Sequence, residues 1–376
     1  MFSRSFAVGL FALLSSGIAI SQQADLKPAK KIRVGVVGLV HDHVHWILGR
    51  EDRGDIEIVG IAEPNRELAE RYAKRHGYRM ELVYPTLEEM IQKTKPDAVL
   101  VFTSIYDHLS VVEYCAPRHI HVMVEKPMAV NAEHARRMVE LAEKNHIYLL
   151  TNYETTWYGS NEKAWELIKT KKQIGDIRKI DFYTGHQGPV EIGCSQEFLA
   201  WLTDPIKNGA GALTDFGCYG ADLATWFMDG EHPISVSAIT QQIKPDKYPR
   251  VDDEATIVLT YPKAQVIIQA SWNWPYGRKE MEVYGQTGYV FCKDGKKMLV
   301  RETNSQETKD VQADPLPVSR NDPFAYFAQV INGRLPLSSH DLSAPATNET
   351  VVRILEAARH SAKTGQVIKW EEYFSK

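Results

Sequence analysis

Cysteine is scarce: Cys115, Cys194, Cys218 and Cys292 are all that occur in 376 residues. None stands at the short spacing of paired zinc ligands, so a zinc-ribbon class of fold is excluded, and so is a dense disulfide framework. An oxidising compartment would permit one bridge, but buried free thiols are the simpler reading. Charge of one sign is equally scarce. Against 48 acidic side chains stand 44 basic ones, a formal net charge of −4 that gives no electrostatic ground for binding nucleic acid or an anionic membrane. Internal repeats and low-complexity tracts are absent as well. What remains, 44% hydrophobic and 24% charged residues, is the composition of an ordinary soluble globular chain. Its length suits two domains at about 100–200 residues each.

The one conspicuous apolar run opens the chain. Arg4, the run over residues 6–20 and the triplet Ala19-Ile20-Ser21 resemble a secretory signal with its cleavage site. The run falls short of the roughly 20 residues of a comfortable membrane span, the competing reading being an N-terminal anchor. A single arginine precedes it, so a twin-arginine signal is not supported and export as an unfolded chain is expected. The mature protein should then be periplasmic or secreted, beginning with a polar linker over residues 22–31.

From residue 32 the chain alternates strand and helix. Strands fit residues 32–38, 56–62, 98–102, 120–125 and 147–151, and helical periodicity fills 66–76, 87–93 and 132–144, the last capped by Asn131. After residue 152 a helix over 161–170 gives way to period-two runs at 177–184, 236–242, 255–261, 266–271, 280–284 and 289–293. Helix-like stretches follow at 215–227 and 324–332, and a last helix over 348–363 ends at Gly365. The polar run 302–314 reads as a solvated loop. The expected fold is α/β: a Rossmann-type doubly wound parallel sheet over 32–151, then over 152–376 an α+β domain with a large, mainly antiparallel open sheet. The terminal helix should pack back on the first domain.

The chemistry concentrates in three places. In Ile120-His121-Val122-Met123-Val124-Glu125-Lys126-Pro127 an apolar strand ends in an acid, a base and a proline. Such a strand delivers Lys126 to the rim of the sheet, where ligands of doubly wound folds lie. The first turn, Gly38-Leu39-Val40-His41-Asp42-His43, keeps one glycine of the dinucleotide fingerprint and replaces the others by Val40 and His43. By itself it is a weak signal. Glu63 strengthens it, because a carboxylate closing the second strand about 25 residues after Gly38 would bond the adenosine ribose and repel a 2′-phosphate, favouring NAD over NADP. The bland alternative for Glu63 is an exposed acid before Pro64. His41, Asp42, His43 and His45 invite a metal reading, but no downstream cysteine or carboxylate stands at a spacing that completes a site. The expectation is no metal and a histidine-lined phosphate turn. Third, the small-residue run from Gly209 leads into Asp215, Tyr219 and Asp222, spaced to share one helix face. A phenol beside a lysine can exchange a proton with a substrate oxygen, the lysine lowering the phenol's pKa and desolvation lowering the lysine's. The alternative is a capped helix with Tyr219 in the core.

Taken together, residues 34–38 with Glu63, Thr103 to His108, Glu125-Lys126-Pro127, Gly209 to Asp222 and Val251-Asp252-Asp253 resemble the glucose-fructose oxidoreductase, inositol dehydrogenase and rhizopine-catabolism family, Gfo/Idh/MocA. The resemblance covers nearly all of the mature chain. It implies a nucleotide-binding domain, an oligomerising open sheet giving a homodimer or homotetramer, and nicotinamide-dependent oxidation or reduction of a carbohydrate or cyclitol. It implies that Lys126 is catalytic, that Pro127 follows a cis bond, and that Asp215 and Tyr219 complete the site. On this frame Gly38, Val40, His41, His43, Glu63, Thr103, Ser104, His108 and Glu125 would face NAD, and Lys126, Asn152, Trp157, Asp215 and Tyr219 the substrate. Two departures stand out. Val40 replaces the glycine of the usual pyrophosphate contact, and export separates the enzyme from a soluble nicotinamide pool, so the cofactor should be held tightly and recycled in place. The expected function is an exported NAD(H)-dependent oxidoreductase acting on a sugar or polyol. A redox-neutral NAD-dependent glycosidase or epimerase and a non-catalytic sugar-binding protein are the alternatives. Trp157, Tyr158, Trp201, Trp272 and Trp274 are candidate stacking surfaces, the last two on one face of a strand.

Overall fold

The structure is a computed structural model and describes residues 30–375, so the expected signal and most of the linker lie outside the described residues. The first layer is built from β1 (Ile32–Val37), α1 (Val44–Leu48), β2 (Ile56–Ala62), α2 (Arg66–His76), β3 (Val83–Tyr84), α3 (Leu87–Thr94), β4 (Ala98–Val101), α4 (His108–Cys115), β5 (His121–Glu125), α5 (Ala132–Lys144) and β6 (Leu149–Asn152). Every strand pair is parallel and the order is β3-β2-β1-β4-β5-β6. β1 and β4 are apolar almost throughout because helices cover both faces of the sheet. The order reverses between β1 and β4, which opens a crevice outside their carboxyl ends. Asn131 caps α5 by accepting the His134 amide, as its sequence suggests.

The second domain holds α6 (Gly159–Trp165), β7 (Ile177–Gly185), α7 (Gln196–Leu202), α8 (Ala212–Asp215), α9 (Gly217–Phe227), β8 (Ser235–Gln241), β9 (Glu254–Thr260), β10 (Gln265–Ser271), β11 (Arg278–Gly285), β12 (Tyr289–Cys292), β13 (Lys297–Arg301) and β14 (Lys309–Gln312). After them come α10 (Pro323–Ile331), α11 (Pro345–Thr364), β15 (Ile368–Lys369) and α12 (Trp370–Phe374). Nine strands pair in the order β14-β13-β12-β11-β7-β10-β9-β8-β15, antiparallel except where β7 meets β10. Alternate residues of β9, Ala255, Ile257 and Leu259, are buried beneath the helices, while Thr256 and Val258 point to the other face, which no element among the described residues covers.

Helix α9 is buried on nearly all sides, because it lies against β10 and beneath α11. A Cβ on Gly220 would meet the Ile268 side chain at 2.7 Å, so only glycine lets helix and sheet approach this closely. α11 joins the two domains: Val352 packs in the core of the first, Ile354 and Leu355 in that of the second, and Glu356 accepts the Ala132 amide.

Four expectations need correction. The polar run 302–314 is not all loop, since Lys309–Gln312 pairs with β13 as the sheet's edge strand, and an edge tolerates polar residues. The stretch 215–227 is two helices broken at Phe216, not one. The helix expected over 161–170 starts at Gly159 and its second half, Glu166–Thr170, widens to a π-turn. Finally, β10 ends at Ser271, so Trp272 and Trp274 lie beyond the strand and share no strand face.

Candidate active site

The carboxyl ends of the parallel strands carry the predicted residues: Gly38 and His41 follow β1, Glu63 follows β2, Thr103 and His108 follow β4, Glu125 closes β5 and Asn152 closes β6. The Lys126-Pro127 bond is cis, and the turn after β5 delivers the lysine toward the second domain. Its Nζ donates to Asp215 Oδ1 at 2.5 Å and to the Asp215 carbonyl at 3.0 Å, with both side chains almost wholly buried. The indole of Trp272, itself fully buried, donates to the other oxygen, Oδ2, at 2.9 Å. Asp215 therefore holds one orientation. It is placed by the small-residue run before it: a Cβ on Gly211 would lie 1.8 Å from the Asp252 carbonyl, and the Asp252 carboxylate accepts the Gly211 and Leu213 amides.

Tyr219 is brought to the same point. Lys126 Nζ lies 5.0 Å from its ring centre and Lys279 Nζ 5.3 Å. The electrostatics differ from the sequence expectation. Burial, then the nearby Glu154 carboxylate, push the Tyr219 phenol well above its usual pKa. Burial also disfavours the Lys126 charge, but the Asp215 carboxylate outweighs it and holds the ammonium above its usual value. The resting site is thus a neutral phenol beside a lysinium-carboxylate pair. Asp222 does not join it. Wholly buried in α9 with neither oxygen bonded, it is driven by burial well above the usual carboxyl range.

The second set surrounds Glu125. His43 Nδ1 lies 2.9 Å from Glu125 Oε2, and Asn152 Nδ2 donates to Oε1 at 2.7 Å while its own Oδ1 accepts the Trp157 indole at 2.9 Å. Burial would raise the Glu125 pKa, but the imidazoles of His43 and His41 and these hydrogen bonds hold it at about 2. His41, His43 and Glu125 bring their ligand atoms within 4.8 Å of one another, the outline of a three-ligand metal site. The carboxylate missing from the local spacing thus stands in β5, 82 residues along from His43. The hydrogen bonds oppose a metal there. His41 Nδ1 accepts the His43 amide, which leaves the proton of a neutral ring on Nε2, the nitrogen facing Glu125 where a metal needs a lone pair. Burial keeps His41 neutral.

Glu63, Thr103 and Ser104 stand apart from both sets. Glu63 accepts the Leu39 and Asn65 amides, each at 2.8 Å, so its carboxylate shapes the first turn; burial raises its pKa. The Thr103 methyl packs where a Cβ of Gly38 would collide, at 2.7 Å, and Gly38 has φ +76°, so glycine is required there on both counts. Ser104 bonds Asp107 at the start of α4. Val40 is not among the described residues with positive φ, so it leaves the turn unstrained. The chain fits a dinucleotide on a specific observation. His41 Nε2 and His108 Nε2, after β1 and β4 on either side of the switch point, are buried and lack any partner. His108 Nδ1 donates to the Met128 carbonyl, so its Nε2 is an acceptor, whereas His41 Nε2 is a donor. Such a pair suits the hydroxyl and phosphate groups of a nucleotide.

Sequence reading missed three groups. Glu154 bonds Lys279 at 2.7 Å and lies near Tyr219 and His43. His186 packs edge-on to Phe216 and close to Asp215, its pKa lowered by burial to about 4. No local signal marks them, since β11 and the segments after β6 and β7 meet only in the fold. Helix α7 is the third. Trp201 donates to the Val40 carbonyl at 3.1 Å, Phe198 and Trp201 pack on the His41 ring, Ser195 bonds Asp42 and Glu197 pairs with Arg71. Trp201 is thereby a strap over the first turn and not a stacking platform.

A parallel dinucleotide-type sheet with a lysine-aspartate pair at its rim and a nine-stranded second domain defines a class of two-domain nicotinamide oxidoreductases. Residues 32–153 match the model of an oxidoreductase family with an NAD-binding Rossmann fold, and residues 162–291 match the GFO/IDH/MocA C-terminal domain. The chain belongs to the Gfo/Idh/MocA family. It is 25% identical over 233 residues to trans-1,2-dihydrobenzene-1,2-diol dehydrogenase of Bos taurus, spanning 61% of this chain and 65% of that one. With the Xenopus laevis protein of the same name it shares 25% identity over 313 residues, 81% of this chain and 89% of that one. The fold is that of aldose-aldose oxidoreductase from Caulobacter crescentus (TM-score 0.74, 21% identity, 90% of this chain and 99% of that one). It is equally that of an inositol dehydrogenase homologue of Azotobacter vinelandii solved with NAD+ (TM-score 0.76, 18% identity, 91% and 98%).

Proposed function

We propose that the protein oxidises a hydroxyl-bearing carbon of a sugar or polyol, or reduces the corresponding carbonyl, with NAD(H) resident in the crevice between β1 and β4. The observation that carries this is the buried Lys126–Asp215 pair beside the Tyr219 phenol. The nicotinamide, when bound, accepts or gives the hydride. The chain handles the proton. In the reductive direction the Lys126 ammonium protonates the nascent alkoxide while Tyr219 donates a hydrogen bond to it. In the oxidative direction Lys126 must first lose its proton, and then takes that of the substrate hydroxyl. Asp215 sets how readily it does so. Glu125, fixed by His43 and Asn152, would anchor the cofactor beside it.

Residence of the cofactor and export belong to one reading. The first apolar run argues for export, and the α7 strap across the first turn supports retention of a nucleotide away from a soluble pool. The name of the Caulobacter relative, aldose-aldose oxidoreductase, is consistent with a cofactor recycled in place. Mass spectrometry of nucleotide released from denatured protein should find NAD or NADH at about one per chain. Lys126→Met should keep that nucleotide while turnover falls by roughly 10²–10⁴, the range of a lost general acid-base. An empty wild-type protein that ignores added NAD, or an unchanged turnover in the variant, would sink the assignment.

A further inference from the structure

A second cleft opens beside the catalytic one. It has a volume of about 300 Å³ and lies between α1, the turn after it, the segment after β6 and the start of α10. At the small end of ligand sites, it has room for about one sugar ring. Trp46, Trp157 and Tyr158 give it aromatic walls, and Arg53, Asn321 and Asp322 give it planar polar groups. Its charges cancel: Arg50 pairs with Asp55 and Asp322, Arg53 with Asp322, and Glu154 with Lys279. Arg53, 40% exposed, spends only Nη1 on Asn321 and Asp322, so further donors stay free. An apolar face opposite a neutral, multiply hydrogen-bonding edge matches a pyranose better than a charged ligand.

Side chains that line the cleft also touch the site already described. Trp157, which lines it, donates its indole to Asn152, which in turn holds Glu125. Glu154, which also lines it, bonds Lys279 above the Tyr219 ring. Trp46, 37% exposed, stacks on His43 at 3.9 Å. Neither Lys126, Asp215 and Tyr219 nor the adenosine side of the crevice at Glu63 lines it. It is therefore neither the reacting position nor the adenine position.

Resting on the oxidoreductase reading for the reacting ring, we propose that this cleft is a second sugar subsite and that the preferred substrate is a neutral disaccharide or glycoside, one ring at Lys126 and the next against Trp46. The test is tryptophan-fluorescence titration of the Lys126→Met protein with cellobiose, maltose, lactose and sucrose, and with glucose, galactose and fructose. Binding is thus read without turnover, so failure of the redox assignment leaves this result intact. At least one disaccharide should bind tenfold or more tightly than its component monosaccharides, and Trp46→Ala should bring its Kd to the monosaccharide value. Arg53→Ala, a partly exposed change that spares the aromatic wall, should weaken the disaccharide severalfold and the monosaccharides not at all. Disaccharides that bind no more tightly than their components, or variants that weaken both alike, would overturn the proposal.

Discussion

At the residue scale the site turns on one charge. Lys126 is almost wholly buried, and burial disfavours an ammonium; Asp215 reverses that preference. A lysine raised in this way stays protonated through neutral pH, so oxidation of a hydroxyl should gain speed as the medium becomes alkaline while reduction of the ketone loses it. Asp215→Asn removes the opposing charge and leaves desolvation in command, so the rising limb of the kcat profile for oxidation should move to lower pH by a unit or more. The fold should survive, because a neutral lysine needs no buried counter-charge. A profile that keeps its position in the variant would mean that another group supplies the limb. Trp272, which holds the second Asp215 oxygen, was legible only as an aromatic residue on a strand face. Its partner lies 57 positions away in the chain, and no periodicity reports such a bond.

Among the elements, those with a local cause were legible and those with a tertiary cause were not. β1, β2, β4, β5 and β6 announce themselves as short apolar runs, α2 ends at Gly77 with φ +75°, and α11 ends at Gly365 with φ +69°. The site residues at the strand ends follow from that alternation, and so does Lys126, whereas Asp215 followed from the small-residue run that begins at Gly209. The Glu125 cluster did not follow, because His43 and Glu125 are joined by the order of the sheet and not by spacing. Nor did α7, an amphipathic helix of about two turns whose apolar side meets the other domain. Its purpose can be tested at Trp201, which is 3% exposed. Trp201→Ala should speed release of bound nucleotide at least tenfold in a competition chase. Trp201→Phe, which loses the bond to the Val40 carbonyl but keeps most of the packing, should fall between. A truncation of this size costs about 3–5 kcal/mol in a core, so Tm must be followed alongside; equal release rates in all three proteins would reduce α7 to a packing element.

For the whole molecule the unexplained feature is the open face of the nine-stranded sheet. In register across it run Leu299, Phe291, Glu282, Asp181, Ile267 and Val258. Large apolar groups at both ends of this row flank two acids set directly opposite each other, an arrangement that costs stability in an isolated sheet. Burial already raises the Asp181 pKa, and its Oδ1 has no partner. A partner surface would relieve both faults by covering the apolar ends and bringing hydrogen-bond donors to the acids, which supports a homodimer or homotetramer assembled through this face. A stable interface buries about 1,200–2,000 Å², and a sheet of this width can supply it from a single face. Ile267→Arg puts a charge into one apolar end of the row, on the face turned away from α9, so it should dissociate the assembly in sedimentation velocity while leaving the nucleotide content of each chain intact. If wild type and variant sediment alike as monomers, the face has another occupant; if both sediment as the same oligomer, assembly uses a different surface and the acid pair must be relieved by solvent alone.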